Sequence, residues 1–195
     1  MKFTPKILAF AGSTRTHSHN KKLVKIAASG ARAAGAEVTL IDLRDYPLPL
    51  YDGDLEEKEG LPDNAVKLKE LFKSHHGFLI SCPEYNSSIT GVLKNTIDWV
   101  SRPREGETSL AGFMGKGAAL MSASPGVLGG LRGLVHVRSI LGNLGVFLLP
   151  EQIAVTKAHE AFNEEGRIVP EKLHASVENL GASLARFLEK LKPEG

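Results

Sequence analysis

Five short apolar runs punctuate the chain: KILAFAG (6–12), EVTLID (37–42), GFLISC (77–82), GAALMSA (117–123) and GVFLLP (145–150). None of them alternates polar with apolar positions, so each reads as a strand buried on both faces, the pattern of a parallel sheet covered by helices. Between the runs the apolar positions recur at helical spacing. Leu23, Ile26, Ala27 and Ala34 share one stripe of a helix from Asn20 to Gly35, with Asn20 as N-cap and Gly35 as stop. Ala65, Leu68, Leu71 and Phe72 do the same from Pro62 to Ser74, with the proline in the first turn. Ile89, Val92, Leu93, Thr96, Ile97 and Val100 give a wide apolar face from Ser88 to Ser101, which Pro103 ends. A fourth helix covers Leu131–Asn143, and the last runs from Pro170 to Leu191.

Strands alternating with helices predict an α/β fold: a doubly wound, five-stranded parallel sheet with helices on both faces, in a single domain spanning 1–195. In such sheets ligands bind outside the carboxyl ends of the strands, near the point where strand order reverses. The loops after the first, third and fourth strands therefore carry the chemistry. They read STRTHSHN, PEYNSSI and SPGVLGG.

Composition narrows the picture modestly. The chain has 195 residues, 42% hydrophobic and 24% charged, enough apolar material to offset the ordering entropy of one domain. Net charge is +2 with the basic residues dispersed, which gives no footprint for nucleic acid. Cys82 is the only cysteine, so no intrachain disulfide forms and a cysteine-rich zinc site has no ligands. The opening apolar run is too short to span a membrane and lacks a cleavage pattern, so a cytoplasmic protein is expected.

The first loop is dense in hydroxyls and cations and ends where a helix begins with unpaired N–H groups, an arrangement that attracts an anion. Ser13, Thr14, Thr16 and Ser18 offer hydroxyl donors and Arg15 a planar cationic fork, a set suited to a terminal phosphate monoester, or simply to a polar surface loop. Other phosphate motifs fail. A dinucleotide fingerprint needs three glycines where only Gly12 stands, although Asp42 sits where its ribose acid would be. Neither a Gly-Lys-Ser/Thr loop nor a G-x-S-x-G elbow is present. In PEYNSSI, Pro83 fixes a dihedral, Asn86 tolerates unusual ones, and tight-turn amides face the polar edge of a flat ring that Tyr85 covers; an ordinary strand-to-helix turn is the alternative. SPGVLGG allows close backbone approach, or is a flexible connection.

His17 with His19, and His75 with His76, lack a third ligand, and NEEGRI (163–168) lacks the acidic spacing of a calcium loop, so no metal is assigned. Cys82 reads as a small buried apolar residue.

GSTRTHSHN, LPLYD (48–52), PEYNSSITGVLKNTIDWVSR (83–102) and SPGVLGG together resemble the NAD(P)H-dependent FMN reductases, a flavodoxin-like family that includes bacterial quinone, chromate and azo-dye reductases. The resemblance implies strand order 2-1-3-4-5, with FMN bound and NADPH or NADH as co-substrate. It implies that Ser13, Arg15, Ser18 and Asn20 hold the FMN phosphate, that Pro83, Glu84, Tyr85 and Asn86 embrace the ring, and that Ser124 and Gly126 complete the flavin side. The expected activity is ping-pong: hydride from NAD(P)H to flavin N5, then two electrons to a small-molecule acceptor, with no catalytic side chain required. A flavodoxin-type electron carrier is the alternative, against which the net charge of +2 argues. A homodimer or homotetramer is implied, with Trp99 either at an interface or in the core.

Overall fold

Successive side chains of a strand point to opposite faces, and β1 (Lys6–Ala11) divides its own between two cores. Ile7, Ala9 and Ala11 join Leu23, Ala27, Val177 and Leu184 on one side, while Leu8 and Phe10 join Leu68, Phe72, Leu93, Ile97 and Leu134 on the other. The structure is a computed structural model that describes residues 3–191; residues 1–2 and 192–195, the ends of the expected domain, lie outside the described residues.

After β1 the chain runs through α1 (His19–Ala33), β2 (Glu37–Leu40), a 3-10 turn (Leu43–Asp45), α2 (Gly53–Glu59), α3 (Asp63–Ser74) and β3 (Gly77–Ser81). It continues through β4 (Glu84–Tyr85), β5 (Ser88–Ile89), α4 (Gly91–Ser101), β6 (Gly117–Ala123), α5 (Leu131–Asn143), β7 (Phe147–Val155), α6 (Ala158–Ala161) and α7 (Glu171–Lys190). Five strands form one parallel sheet in the order β2-β1-β3-β6-β7. This is the expected 2-1-3-4-5 flavodoxin-like order, and α1 and α7 cover one face while α3, α4 and α5 cover the other.

The elements depart from the sequence pattern in three instructive places. β2 is not buried on both faces: it is an edge strand, and Glu37, Thr39 and Leu40 are exposed. β7 does not end at Pro150 but continues to Val155, because the sheet edge tolerates a residue without an N–H, and the register against β6 shifts between Ala118 and Leu120 at that point. The helix expected from Ser88 begins at Gly91, since Ser88 and Ile89 pair back onto Glu84 and Tyr85. The turn of that hairpin has Asn86 and Ser87 at φ 49° and 65°, two consecutive left-handed residues as a type I′ turn demands.

Candidate functional site

At the carboxyl end of β1 the chain turns through Gly12, where a Cβ would stand 2.9 Å from the Leu93 Cβ on α4. The lone glycine thus lets the strand end pass against the next helix. Its N–H donates to the Ser81 carbonyl at 2.9 Å, and its carbonyl accepts from the Thr90 hydroxyl at 2.7 Å. Thr90 also caps α4 by accepting from Leu93 N–H, so the first and second loops are stitched together by one side chain.

Beyond Gly12, Ser13 is buried and its hydroxyl accepts from Arg15 N–H at 3.2 Å, which curls the loop. Thr14, Arg15, Thr16 and His17 are exposed. Ser18, not Asn20, is the N-cap of α1; its side chain makes no capping bond, its carbonyl accepts from Lys21 and Lys22 N–H, and the His19 and Asn20 N–H groups are left without a backbone acceptor. Asn20 sits one position inside the helix and turns inward. Its amide nitrogen donates to the Ala123 carbonyl at 2.8 Å, and its oxygen accepts from Ala123 N–H at 3.0 Å and from the Ser81 hydroxyl at 2.8 Å. That side chain joins the ends of β3 and β6 beneath the loop.

The sequence pattern did not single out Arg44. From the 3-10 turn its guanidinium reaches back to the first loop, where Nε donates to the Thr14 carbonyl at 2.8 Å, Nη2 bonds the same oxygen, and Nη1 donates to Thr16 Oγ1 at 2.7 Å. No local motif announces such a contact, because its partners lie about thirty residues earlier.

In the second loop Tyr85 and Asn86 are exposed, with Tyr85 60% accessible, while Pro83 is buried. The Glu84 side chain turns the other way, accepting from Arg132 at 2.6 and 2.9 Å and from Gly133 N–H at 3.1 Å at the start of α5. Burial opposes its charge, but Arg132 and the helix N–H outweigh that and hold its pKa below the ordinary glutamate value. The Glu84 carboxylate is therefore committed to the start of α5. In the third loop Ser124 Oγ accepts from Gly126 N–H at 3.2 Å, and the Ser124 carbonyl accepts from Ala158 N–H.

A cleft of about 430 Å³ opens between the first and second loops, lined by Gly12, Ser13, Thr14, Arg15, Arg44, Tyr85, Thr90, Gly91 and Val92. Of the nominated residues it brings together Ser13, Arg15 and Tyr85. Ser18, Asn20, Pro83, Glu84, Asn86, Ser124 and Gly126 are not on its wall. A Cβ on Gly91 would meet nothing within 4 Å, so the cleft is open there. A second cleft of about 440 Å³ lies behind the loop, between α1 and β2, lined by Thr16, His17, Ser18, Lys21 and Asp42 among others, so the nominated Ser18 and the end of the first loop that enters α1 open on this side; it holds none of the ring-side residues.

The remaining candidates take structural places. Cys82 is fully buried, which pushes its thiol pKa well up, away from reactivity. His75 Nδ1 donates to the Leu71 carbonyl at 2.6 Å and its Nε2 accepts from Thr39 at 2.8 Å; His76 accepts from Lys6 N–H. The segment 163–168 is a turn closed by Asn163 Oδ1 on Arg167 N–H. Trp99 is fully buried within its own chain, donating to the Pro49 carbonyl at 2.8 Å and meeting Tyr51 edge-on. Among the described residues no group of three or more metal-ligating side chains converges, and no helix is long and apolar enough to cross a membrane.

Residues 5–160 match the family described as NADPH-dependent FMN reductase. The chain belongs to that family. It is 32% identical over 188 residues to an NAD(P)H-dependent FMN reductase of Pseudomonas aeruginosa, covering 96% of this chain and 97% of the relative. It is 28% identical to a quinone reductase of Escherichia coli, with 95% and 96% covered. Its backbone is similar to that of the flavoenzyme NAD(P)H:(acceptor) oxidoreductase of Paracoccus denitrificans, at TM-score 0.80 and 28% identity over 96% of this chain and 98% of that one. As a member of this reductase family the protein is an oxidoreductase of flavodoxin-like fold, and the switch point between β1 and β3, where strand order reverses, is where its cleft lies.

Proposed function

We propose that this reductase holds FMN in the cleft between its first and second loops and carries two electrons from NAD(P)H to a quinone or a similar small acceptor. The observation that carries the reading is the meeting, in one cleft, of a hydroxyl- and arginine-bearing loop at a helix N-terminus with an exposed tyrosine hairpin. The donor set fits the group. Arg15 and the Ser13 hydroxyl in the cleft, with the Thr16 hydroxyl and the unpaired His19 and Asn20 N–H groups at the loop's far end, suit one terminal phosphate, and the Gly91 opening leaves room for a planar ring beside Tyr85. Bound there, FMN supplies hydride and electron transfer that no side chain of this chain provides.

The protein's part is to anchor, orient and expose. Arg15 and the α1 terminus fix the phosphate end. Backbone amides around Glu84–Asn86 and the Gly126 loop are dipoles available to the polar edge of the ring. Tyr85 stands at the open side, where reductant and acceptor enter in turn, so the order is ping-pong through one shared face. The resemblance supports a homodimer or homotetramer in the cytoplasm, which light scattering of the purified protein addresses for assembly. The test of function is optical and kinetic. Purified protein reconstituted with FMN shows a bound-flavin spectrum that NADPH or NADH bleaches anaerobically and that a quinone restores, with multiple turnovers. Colourless protein at saturating FMN ends the cofactor reading; bound flavin without turnover leaves only an electron carrier.

A further inference from the structure

We propose that Arg44 is a positioning residue that sets the first loop for a phosphate, an inference that rests on the flavin reading above. An anion site needs its N–H and O–H hydrogens turned toward the ligand and its carbonyl oxygens turned away or neutralised. The Thr14 carbonyl is a loop acceptor that Arg44 neutralises, held by two of its nitrogens. A permanent cation thereby sits on the negative end of that peptide dipole. The third contact acts in the same sense. Arg44 Nη1 donates to Thr16 Oγ1 at 2.7 Å, occupying a lone pair and leaving the hydroxyl hydrogen for the ligand.

Arg44 is itself fixed from both sides. Asp42 caps the 3-10 turn, its Oδ1 accepting from Arg44 N–H at 3.0 Å while its Oδ2 pairs with Lys21 Nζ at 2.5 Å. A closed circuit results: α1 through Lys21, the end of β2 through Asp42, the turn through Arg44, and back into the loop that precedes α1. The circuit also explains Asp42, whose position resembles a ribose-binding acid; its two oxygens are committed to Arg44 and Lys21. Burial opposes ionisation of Asp42, but the Lys21 and Arg44 contacts outweigh it and lower its pKa. Arg44 further lines the same cleft as Ser13 and Arg15, so the clamp stands at the wall of the site.

Comparing FMN with riboflavin, which lacks the phosphate, separates loop positioning from general stability. Flavin-stripped wild type, Arg44→Ala and Arg44→Lys are titrated with each flavin by fluorescence quenching, and melting of each protein is followed by circular dichroism. Loss of charge-assisted hydrogen bonds at the loop weakens FMN roughly tenfold or more in both variants and leaves riboflavin within about twofold. Lysine fails because one ammonium cannot span both acceptors as the fork does. If FMN and riboflavin weaken together, or the FMN-to-riboflavin ratio stays at the wild-type value, the clamp is overturned while the cofactor reading stands. A wild type that takes up neither flavin overturns the cofactor reading and the clamp with it. Should Arg44→Ala fail to fold, Arg44→Lys decides alone.

Discussion

At the scale of single residues, the side chain that most constrains the site does not face it. Asn20 gives one donor bond and accepts two, all buried, and each partner belongs to a strand end that carries a site loop. Truncation leaves the Ala123 N–H and C=O and the Ser81 hydroxyl without partners in a place water does not reach, and a buried unsatisfied group costs about 1–3 kcal/mol. Asn20→Ala is therefore expected to lower the free energy of unfolding by about 2–4 kcal/mol, measured by urea denaturation at constant slope. An unchanged midpoint would mean that the three groups find other partners. The hydroxyl-rich loop was legible as a cluster of donors and a cation within seven positions of sequence. That Asn20 points inward was not, since whether an amide caps its own helix or bonds a strand depends on what the sheet places beneath it.

At the scale of elements, α1 and α7 approach until their backbones touch. A Cβ on Gly181 would stand 1.8 Å from the Ala27 carbonyl oxygen, and one on Gly30 would stand 1.9 Å from that of Glu178. Both clashes are with main chain, which cannot swing aside as a side chain does. Alanine favours a helix over glycine by about 1 kcal/mol, so a gain is expected from propensity alone. The close packing reverses the sign: Gly181→Ala should destabilise by about 3 kcal/mol or more, seen as a fall in melting temperature. Gly142→Ala, where a Cβ meets nothing within 4 Å, is the control and should be neutral or mildly stabilising. The apolar stripes of these helices are plain in the sequence, while the glycines that set their separation look there like weak helix formers.

At the scale of the whole molecule, ion pairs on partly buried glutamates tie connecting segments to the helices. Glu56 accepts from Arg102 at 2.8 and 2.9 Å, Glu107 pairs with Lys69 and Lys73 at 2.8 Å each, and Glu84 pairs with Arg132. Burial opposes the charge on all three, yet the paired cations outweigh it and place each pKa below the ordinary value of 4.5. His75 is displaced in the same direction from 6.5, chiefly by burial. Each of these groups binds its proton less readily folded than unfolded, so stability is full above the unfolded value and falls as the pH drops through it. Melting temperature should therefore decline first as pH falls through 6.5, when an unfolded His75 would charge, and more steeply below 4.5, where the glutamates take up protons. In Glu107→Gln the neutral-pH melting temperature should be lower and the acid-side loss smaller; parallel curves for variant and wild type would rule out Glu107 as a contributor.

The sequence alone determined the five strands of the main sheet, most helices and the loops at the strands' carboxyl ends, because these follow from periodicity and from residue types that act locally. Gly12 stood out as a single glycine, but only the packing of β1 against α4 explains it. Tertiary structure decided where elements stop and where side chains aim: β7 ran through Pro150 because it is an edge, the helix after PEYN started late because Asn86 and Ser87 turned a hairpin, and Trp99 went into its own core against Pro49 and Tyr51. It alone brought Arg44 onto Thr14 and Thr16. Patterns in sequence record which face of an element meets apolar surroundings; which distant polar group satisfies a given donor is fixed only when the sheet order sets those elements side by side.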